Sequence, residues 1–290
     1  MISQQLRDAK QLASARFLRR TPGVVAVGIG NKEFDGRDTG VPCVRIYVSR
    51  IFEHDELPIN CLIPKKILGV LTDVVPLSPP AFNPLSAFAV ETDAPNVNPI
   101  LTGVFGAVVN YGGNRYILGT NHTLASNGRV PAGSPIFLPY SDRIGTTLAG
   151  RFVKLHHGEQ NLADCALAQL DVALDAFTID SADKVHEPQL GQIVQKSGVE
   201  QAGTIVDISA DLFVDYSFGT FLLVDQVFVK GNNSAFARQG DSGAIVVDNS
   251  TDRAVAMVFA TAGKFTAVCP LQRALELLGV WPPNGNLSAT

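Results

Sequence analysis

The chain is poor in several residue types: of 290 residues, one is tryptophan, two are methionine, five are tyrosine and four are cysteine. No apolar run approaches the roughly 20 residues needed to cross a bilayer as a helix, so no membrane span and no membrane partner are expected. The first 20 residues carry Arg7, Lys10, Arg16, Arg19 and Arg20 without the uninterrupted apolar block of a secretory signal. The cysteines, Cys43, Cys61, Cys165 and Cys269, form no CxxC pair, so the spacing of a zinc site is missing. No metal or organic cofactor is indicated. Without a signal the thiols are expected to be reduced, small buried residues in a cytoplasmic protein. An excess of positive charge is absent too. The net charge of −4 argues against a nucleic-acid partner, which calls for a basic face.

Apolar residues make up 46% of the chain and charged residues 17%, which supports a sizeable core in two or three folding units. Ile2, Leu6, Ala9, Leu12, Ala13 and Phe17 recur at helical spacing, predicting an amphipathic helix over 2–20 that Thr21-Pro22-Gly23 stops. Arg16, Arg19 and Arg20 lie where a helix C-terminus favours cations. Strands are expected at Val24–Ile29, Val44–Val48 and Leu68–Val75, with a turn-rich Asp35–Gly40 between the first two. Gly28-Ile29-Gly30 is a fragment of a GxGxxG pattern with no helix after it, and reads as a turn or close-packing site rather than a phosphate loop. Proline density from Pro76 to Pro99 predicts an extended linker and a boundary near residue 95. Beyond it, short apolar runs broken by Gly, Asn and Asp predict a β-barrel or sandwich, closed by a short helix at Ala274–Leu278 and a frayed tail.

Three local patterns carry chemistry. His122 follows an apolar strand that ends in Gly-Thr-Asn; Asp164 stands at the entrance of the apolar Cys165–Leu170; Ser242 lies in Arg238-Gln-Gly-Asp-Ser-Gly, directly before an apolar strand. Asp171, before Val-Ala-Leu, is the rival for the acid. Glycines flanking a serine allow a loop to aim successive N–H groups at one point, which stabilising an oxyanion requires. His156-His157 looks like a ligand pair, but neighbours on a strand point to opposite faces, and a solvated loop is the plainer reading.

In the order His, Asp, Ser, with separations of 42 and 78 residues, these patterns resemble the trypsin/chymotrypsin-like serine peptidase family over roughly residues 100–280. The resemblance implies two packed antiparallel β-barrels, preceded here by a small α/β N-terminal domain. The domains expected are 1–95, 96–182 with His122 and Asp164, and 183–290 with Ser242. It implies Ser242 as nucleophile, His122 as general base then acid, Asp164 as the orienting acid, and an oxyanion hole from the N–H groups of Gly240 and Ser242. Phe236, six residues before the serine, falls at the floor of the substrate pocket, and Phe259 on the strand lining its wall, where an aromatic is more often core than substrate platform. An aromatic floor disfavours lysine and arginine side chains. Asp241 takes the position that pairs with a newly cut N-terminus in trypsin-like zymogens, and Arg238 or solvent is its expected partner here. Thr123 and Gln239 stand where secreted members commonly have bridging cysteines or their neighbours.

The expected function is a serine endopeptidase acting on protein or peptide substrates. The alternative is a catalytically silent or inhibited scaffold of the same fold. The N-terminal domain could dock on the barrels, restrain the cleft or mediate oligomers.

Overall fold

Ser3 opens the first helix by accepting the Leu6 N–H on its hydroxyl, and α1 runs Gln4–Phe17. The computed structural model describes residues 2–52, 57–58, 61–77, 88–95, 97–98, 100–138, 143–232, 235–238 and 240–283. Leu6, Ala9, Ala13 and Phe17 bury one stripe of α1 against the strands that follow, so the expected amphipathic face is the packed one. Those strands are β1 (Val24–Phe34), β2 (Arg37–Val48), β3 (Lys66–Ile67) and β4 (Val70–Pro76). The tip of the β1–β2 hairpin is only Asp35-Gly36; the rest of the expected turn is strand.

The protein is mainly β, in two sheets. One has eight strands in the order β13-β7-β8-β12-β10-β9-β5-β6. Its members are β5 (Phe88–Glu91), β6 (Ile100–Gly103), β7 (Ala107–Tyr111), β8 (Asn114–Gly119), β9 (Pro135–Phe137), β10 (Arg143–Phe152), β12 (Ala166–Leu170) and β13 (Thr178–Ile179). The other has eleven strands and holds β11 (Gln160–Asn161), β14 (Ile193–Lys196), β15 (Val199–Tyr216), β16 (Gly219–Gly231), β17 (Ile245–Asp248), β18 (Ala254–Ala262) and β19 (Phe265–Pro270), together with β1 to β4. Because β15 and β16 also pair directly, hydrogen bonding passes through β16-β19-β18-β17-β14-β15 and back to β16, a circuit of six strands. Val194, Ile205, Val229, Val246 and Val258 are among the side chains that fill it.

Two features differ from the expected layout. The N-terminal strands are edge-bonded to the second sheet, since β1 pairs antiparallel with β15 (Ala26↔Leu212, Gly30↔Asp207). β5 lies inside the expected proline-rich linker and before the boundary at residue 95, yet it pairs with β6 and β9 in the eight-stranded sheet. Local proline density marks extended backbone, and extended backbone becomes strand wherever a sheet edge lies beside it. The middle of that stretch, residues 78–87, lies outside the described residues, as do residues 284–290 of the expected tail.

Gly28 and Gly30 are close-packing positions, as expected. A Cβ on Gly28 would lie 2.0 Å from Asp207 Oδ2, and one on Gly30 would lie 2.3 Å from the Val206 carbonyl. The carboxylate of Asp207 is fully buried there. It accepts the N–H groups of Ile29 and Ser209, each at 3.0 Å, and the Tyr47 hydroxyl at 3.0 Å. On the other side of the hairpin, Lys10 of α1 forms a salt bridge with Asp211, and the Ser14 hydroxyl donates to the same carboxylate at 2.7 Å. A further apolar cluster joins all three regions: Tyr47 from the N-terminal strands, Leu118 and Leu167 from the first sheet, Met257 and Phe259 from the second. The closing helix is α3 (Leu271–Leu277), three residues earlier than expected.

All four cysteines are buried free thiols. Burial pushes Cys43 and Cys269 up to about 12 and Cys165 upward as well, so they behave as small apolar residues rather than nucleophiles.

Candidate functional site

β8 is apolar through Tyr116–Gly119 and delivers the chain to a single helical turn, α2 (Asn121–Leu124), which carries His122. Polar side chains hold that turn. Asn121 Nδ2 donates to the Val153 carbonyl at 2.9 Å, and Asn121 Oδ1 accepts the Asn127 N–H at 2.9 Å. Asn127, in the left-handed region at φ 57°, donates to the Leu155 carbonyl and accepts the Leu155 N–H, at 3.0 and 2.8 Å. The turn is thereby fastened to the segment that leads on to Asp164.

Asp164 is wholly buried just before β12. Its Oδ2 lies 2.5 Å from His122 Nδ1, and its Oδ1 accepts the His122 backbone N–H at 3.1 Å. The Tyr216 hydroxyl donates to Oδ2 as well, at 2.8 Å. Three donors therefore satisfy a carboxylate that burial alone would penalise. With Nδ1 holding the proton toward Asp164, Nε2 of the imidazole is the nitrogen that can accept one. The rival acid is elsewhere: Asp171 sits 3.5 Å from Arg143 on the outer part of the sheet.

Ser242 lies in a loop between β16 and β17 that is anchored to both sheets. Its backbone carbonyl accepts the Val104 N–H at 2.8 Å, between β6 and β7, while the Gly243 N–H donates to the Val258 carbonyl of β18 at 2.8 Å. Gly243 has φ +102°, and a Cβ there would sit 2.4 Å from the Val104 carbonyl and 3.8 Å from Gly119 Cα. Only glycine allows this approach. The serine loop thus abuts the end of the strand whose next turn bears His122. The Ser242 hydroxyl faces the Phe259 carbonyl at 3.5 Å.

Within the loop the N–H groups alternate in what they do. Asp241 N–H donates to Arg238 O at 3.0 Å and Gly243 N–H to Val258 O, whereas among the described residues the N–H groups of Gly240 and Ser242 have no acceptor. Gly240 adopts φ +100°. N–H groups of the serine and of the glycine two residues before it, without acceptors among the described residues, are what an oxyanion site needs.

The partner of Asp241 differs from expectation. Lys196, at the end of β14, places Nζ 2.6 Å from Asp241 Oδ2, and Arg238 contributes only its backbone N–H, at 2.8 Å. Lys196 is buried, its side chain 8% exposed, and by strand alternation it shares a face with buried Val194. The two aromatics expected near the pocket are in the core, as the reading of Phe259 allowed. Phe236 and Phe259 are both fully buried: Phe236 belongs to the filling of the six-strand circuit, and Phe259 to the cluster joining the sheets. An apolar ring beside a glycine-rich loop and within a closed strand circuit gains more from core burial than from lining a wet cleft. His156 and His157 lie on an exposed loop, and the His157 ring stacks on Phe221 with centroids 4.2 Å apart.

Sequence reasoning missed Tyr216, Lys196, Asn121 and Asn127. Tyr216 stands beside the Ser-Phe-Gly turn joining β15 to β16, a hairpin signal with nothing to indicate that its tip reaches the first sheet. Lys196 precedes Ser-Gly, the signature of an ordinary turn.

No protein-family model and no curated protein matches the sequence. Among solved structures, the chain is similar to Thermobifida fusca protease A at 17% identity and a TM-score of 0.42, covering 67% of this chain and 95% of that one. It is also similar to Cellulomonas bogoriensis chymotrypsin at 15% identity and a TM-score of 0.39, covering 67% and 93%.

Proposed function

We propose that this protein is a serine endopeptidase in which Ser242, His122 and Asp164 act together. The observation that carries the reading is the buried Asp164 carboxylate, bonded to both the ring and the backbone of His122, on a sheet to which the Ser242 loop is itself hydrogen-bonded.

In the proposed reaction Ser242 Oγ attacks the carbonyl carbon of the scissile peptide while His122 Nε2 takes the hydroxyl proton. The carbonyl oxygen gains the negative charge and turns toward the N–H groups of Gly240 and Ser242. His122 then passes its proton to the departing amine nitrogen as the C–N bond breaks, leaving an ester on Ser242. Water repeats the sequence, giving its proton to His122 and releasing the acid. Asp164 keeps the imidazole oriented and offsets its transient positive charge.

A peptide is the substrate that the resemblance to trypsin/chymotrypsin-like serine peptidases implies. A non-catalytic binding role is the competing reading. What favours it is the burial of Phe236, the aromatic expected at the pocket floor.

A fluorophosphonate probe separates the two. It is expected to label the wild type and neither Ser242→Ala nor His122→Ala, with Ser242→Ala lowering peptide turnover on the order of 10⁴–10⁶-fold. A folded wild type that neither takes the label nor cleaves a diverse peptide mixture overturns the hydrolase reading in favour of binding.

A further inference from the structure

We infer that Tyr216 is a positioning residue of the site, the donor that locks the Asp164 carboxylate in the orientation His122 requires. The inference rests on the Ser242–His122–Asp164 reading and adds to it a residue from a different strand of the second sheet.

The geometry is specific. One carboxylate oxygen, Asp164 Oδ2, receives both the His122 ring N–H at 2.5 Å and the Tyr216 O–H at 2.8 Å, while the other receives the His122 backbone N–H. A carboxylate bonded only to histidine could turn about its Cβ–Cγ bond together with the imidazole. A third donor from outside that pair removes this freedom. Tyr216 is itself fixed. Its ring is parallel to Phe218 within 4°, centroids 5.1 Å apart, and it lies 5.3 Å from the His122 ring. Its strand, β15, is bonded to β1, and five residues upstream Asp211 is held by Lys10 and Ser14 of α1. The tyrosine therefore stands on the part of the second sheet that the N-terminal segment braces.

The phenol remains a donor. Burial, with the nearby Asp164 charge, pushes its proton affinity well above the usual tyrosine range. Near the pair among the described residues lie the thiols of Cys165 and Cys269, both raised by burial, and Arg129, whose guanidinium is 5.5 Å from the Phe218 ring centre.

Because the Tyr216 O–H shares Oδ2 with the imidazole, its strength sets how much of that oxygen's basicity is left for His122. The low-field proton NMR signal of the His122 ring N–H, identified by its absence in His122→Ala, reports this without any need for turnover. Tyr216→Phe, which keeps the ring stack, is expected to move the signal to lower field. It should also reduce kcat about tenfold with KM within twofold, the loss of one charge-assisted hydrogen bond. Replacing Tyr216 by 3,5-difluorotyrosine, a stronger donor of nearly the same shape, is expected to move the signal to higher field and leave kcat within threefold. An unmoved signal in both variants overturns the inference. Should Tyr216→Phe fail to fold, an unmoved signal in the difluorotyrosine protein overturns it alone. If the signal moves as expected while the wild type takes no fluorophosphonate, the positioning network stands and the hydrolase reading falls.

Discussion

Replacing Lys196 by methionine keeps the length of the side chain and removes the ammonium paired with the carboxylate beside Ser242. The pair is 2.6 Å long, with the lysine side chain 8% exposed and the aspartate 23% exposed. At an effective dielectric near 20 its attraction is about 6 kcal/mol, and desolvation of the two ions offsets most of that. Removing one partner is a different matter from never having built the pair. A fully buried carboxylate stranded in this way costs about 3–5 kcal/mol. Asp241 still accepts the Arg238 N–H and retains some contact with water. The expected loss for Lys196→Met is therefore about 2 kcal/mol, measured as a fall in the urea midpoint at unchanged slope. Part of the damage should be local, because the Asp241 N–H and carbonyl both bond within the loop that presents the Gly240 and Ser242 N–H groups. Fluorophosphonate labelling is expected to slow about tenfold under conditions where the variant is fully folded. Adding Asp241→Asn removes the stranded charge and keeps an acceptor for Arg238, so the double variant should recover more than half of the lost stability. A cycle with a coupling below about 0.5 kcal/mol, or labelling at the wild-type rate in Lys196→Met, refutes the view that this ion pair holds the serine loop.

Asp207 makes stability depend on pH in the direction opposite to a salt-bridged acid. Burial raises its folded value from 3.8 to about 6, so its contribution is fully present below about pH 4 and is lost as pH rises through about 6, a change of about 3 kcal/mol. Asp207→Asn is therefore expected to be more stable than wild type at pH 7.5, with the advantage disappearing by pH 4.5 in urea titrations; a constant difference across that range would contradict the buried-acid account. Gly28→Ala drives a Cβ to within 2.0 Å of Asp207 Oδ2 and should cost about 3 kcal/mol by denaturation. Gly36→Ala, where a Cβ meets nothing but φ is +73°, should cost about 1 kcal/mol. Equal losses at the two glycines would mean that β1 and β15 are not packed as tightly as described.

The elements most legible in the sequence were those whose side chains repeat a local rule. The stripe Leu6, Ala9, Ala13, Phe17 made α1 visible, the apolar runs 116–119 and 254–259 fell inside β8 and β18, and the run 165–170 matched β12 to within one residue. The length of β15, 18 residues through Asp207, Asp211 and Asp215, was hidden. Its acids are satisfied by Tyr47, Lys10 and Thr220, which lie outside the strand.

The sequence by itself determined which side chains could do chemistry, because a histidine, an acid and a glycine-flanked serine each stand at the end or start of an apolar strand. Only the tertiary structure decided which acid meets the histidine, that Tyr216 shares that acid, that Lys196 rather than Arg238 answers Asp241, and that Phe236 is core. The physical reason is common to all four. A buried charge or ring is placed by whatever satisfies it, and here each partner is supplied by strand pairing between residues far apart in the chain, which no local spacing encodes.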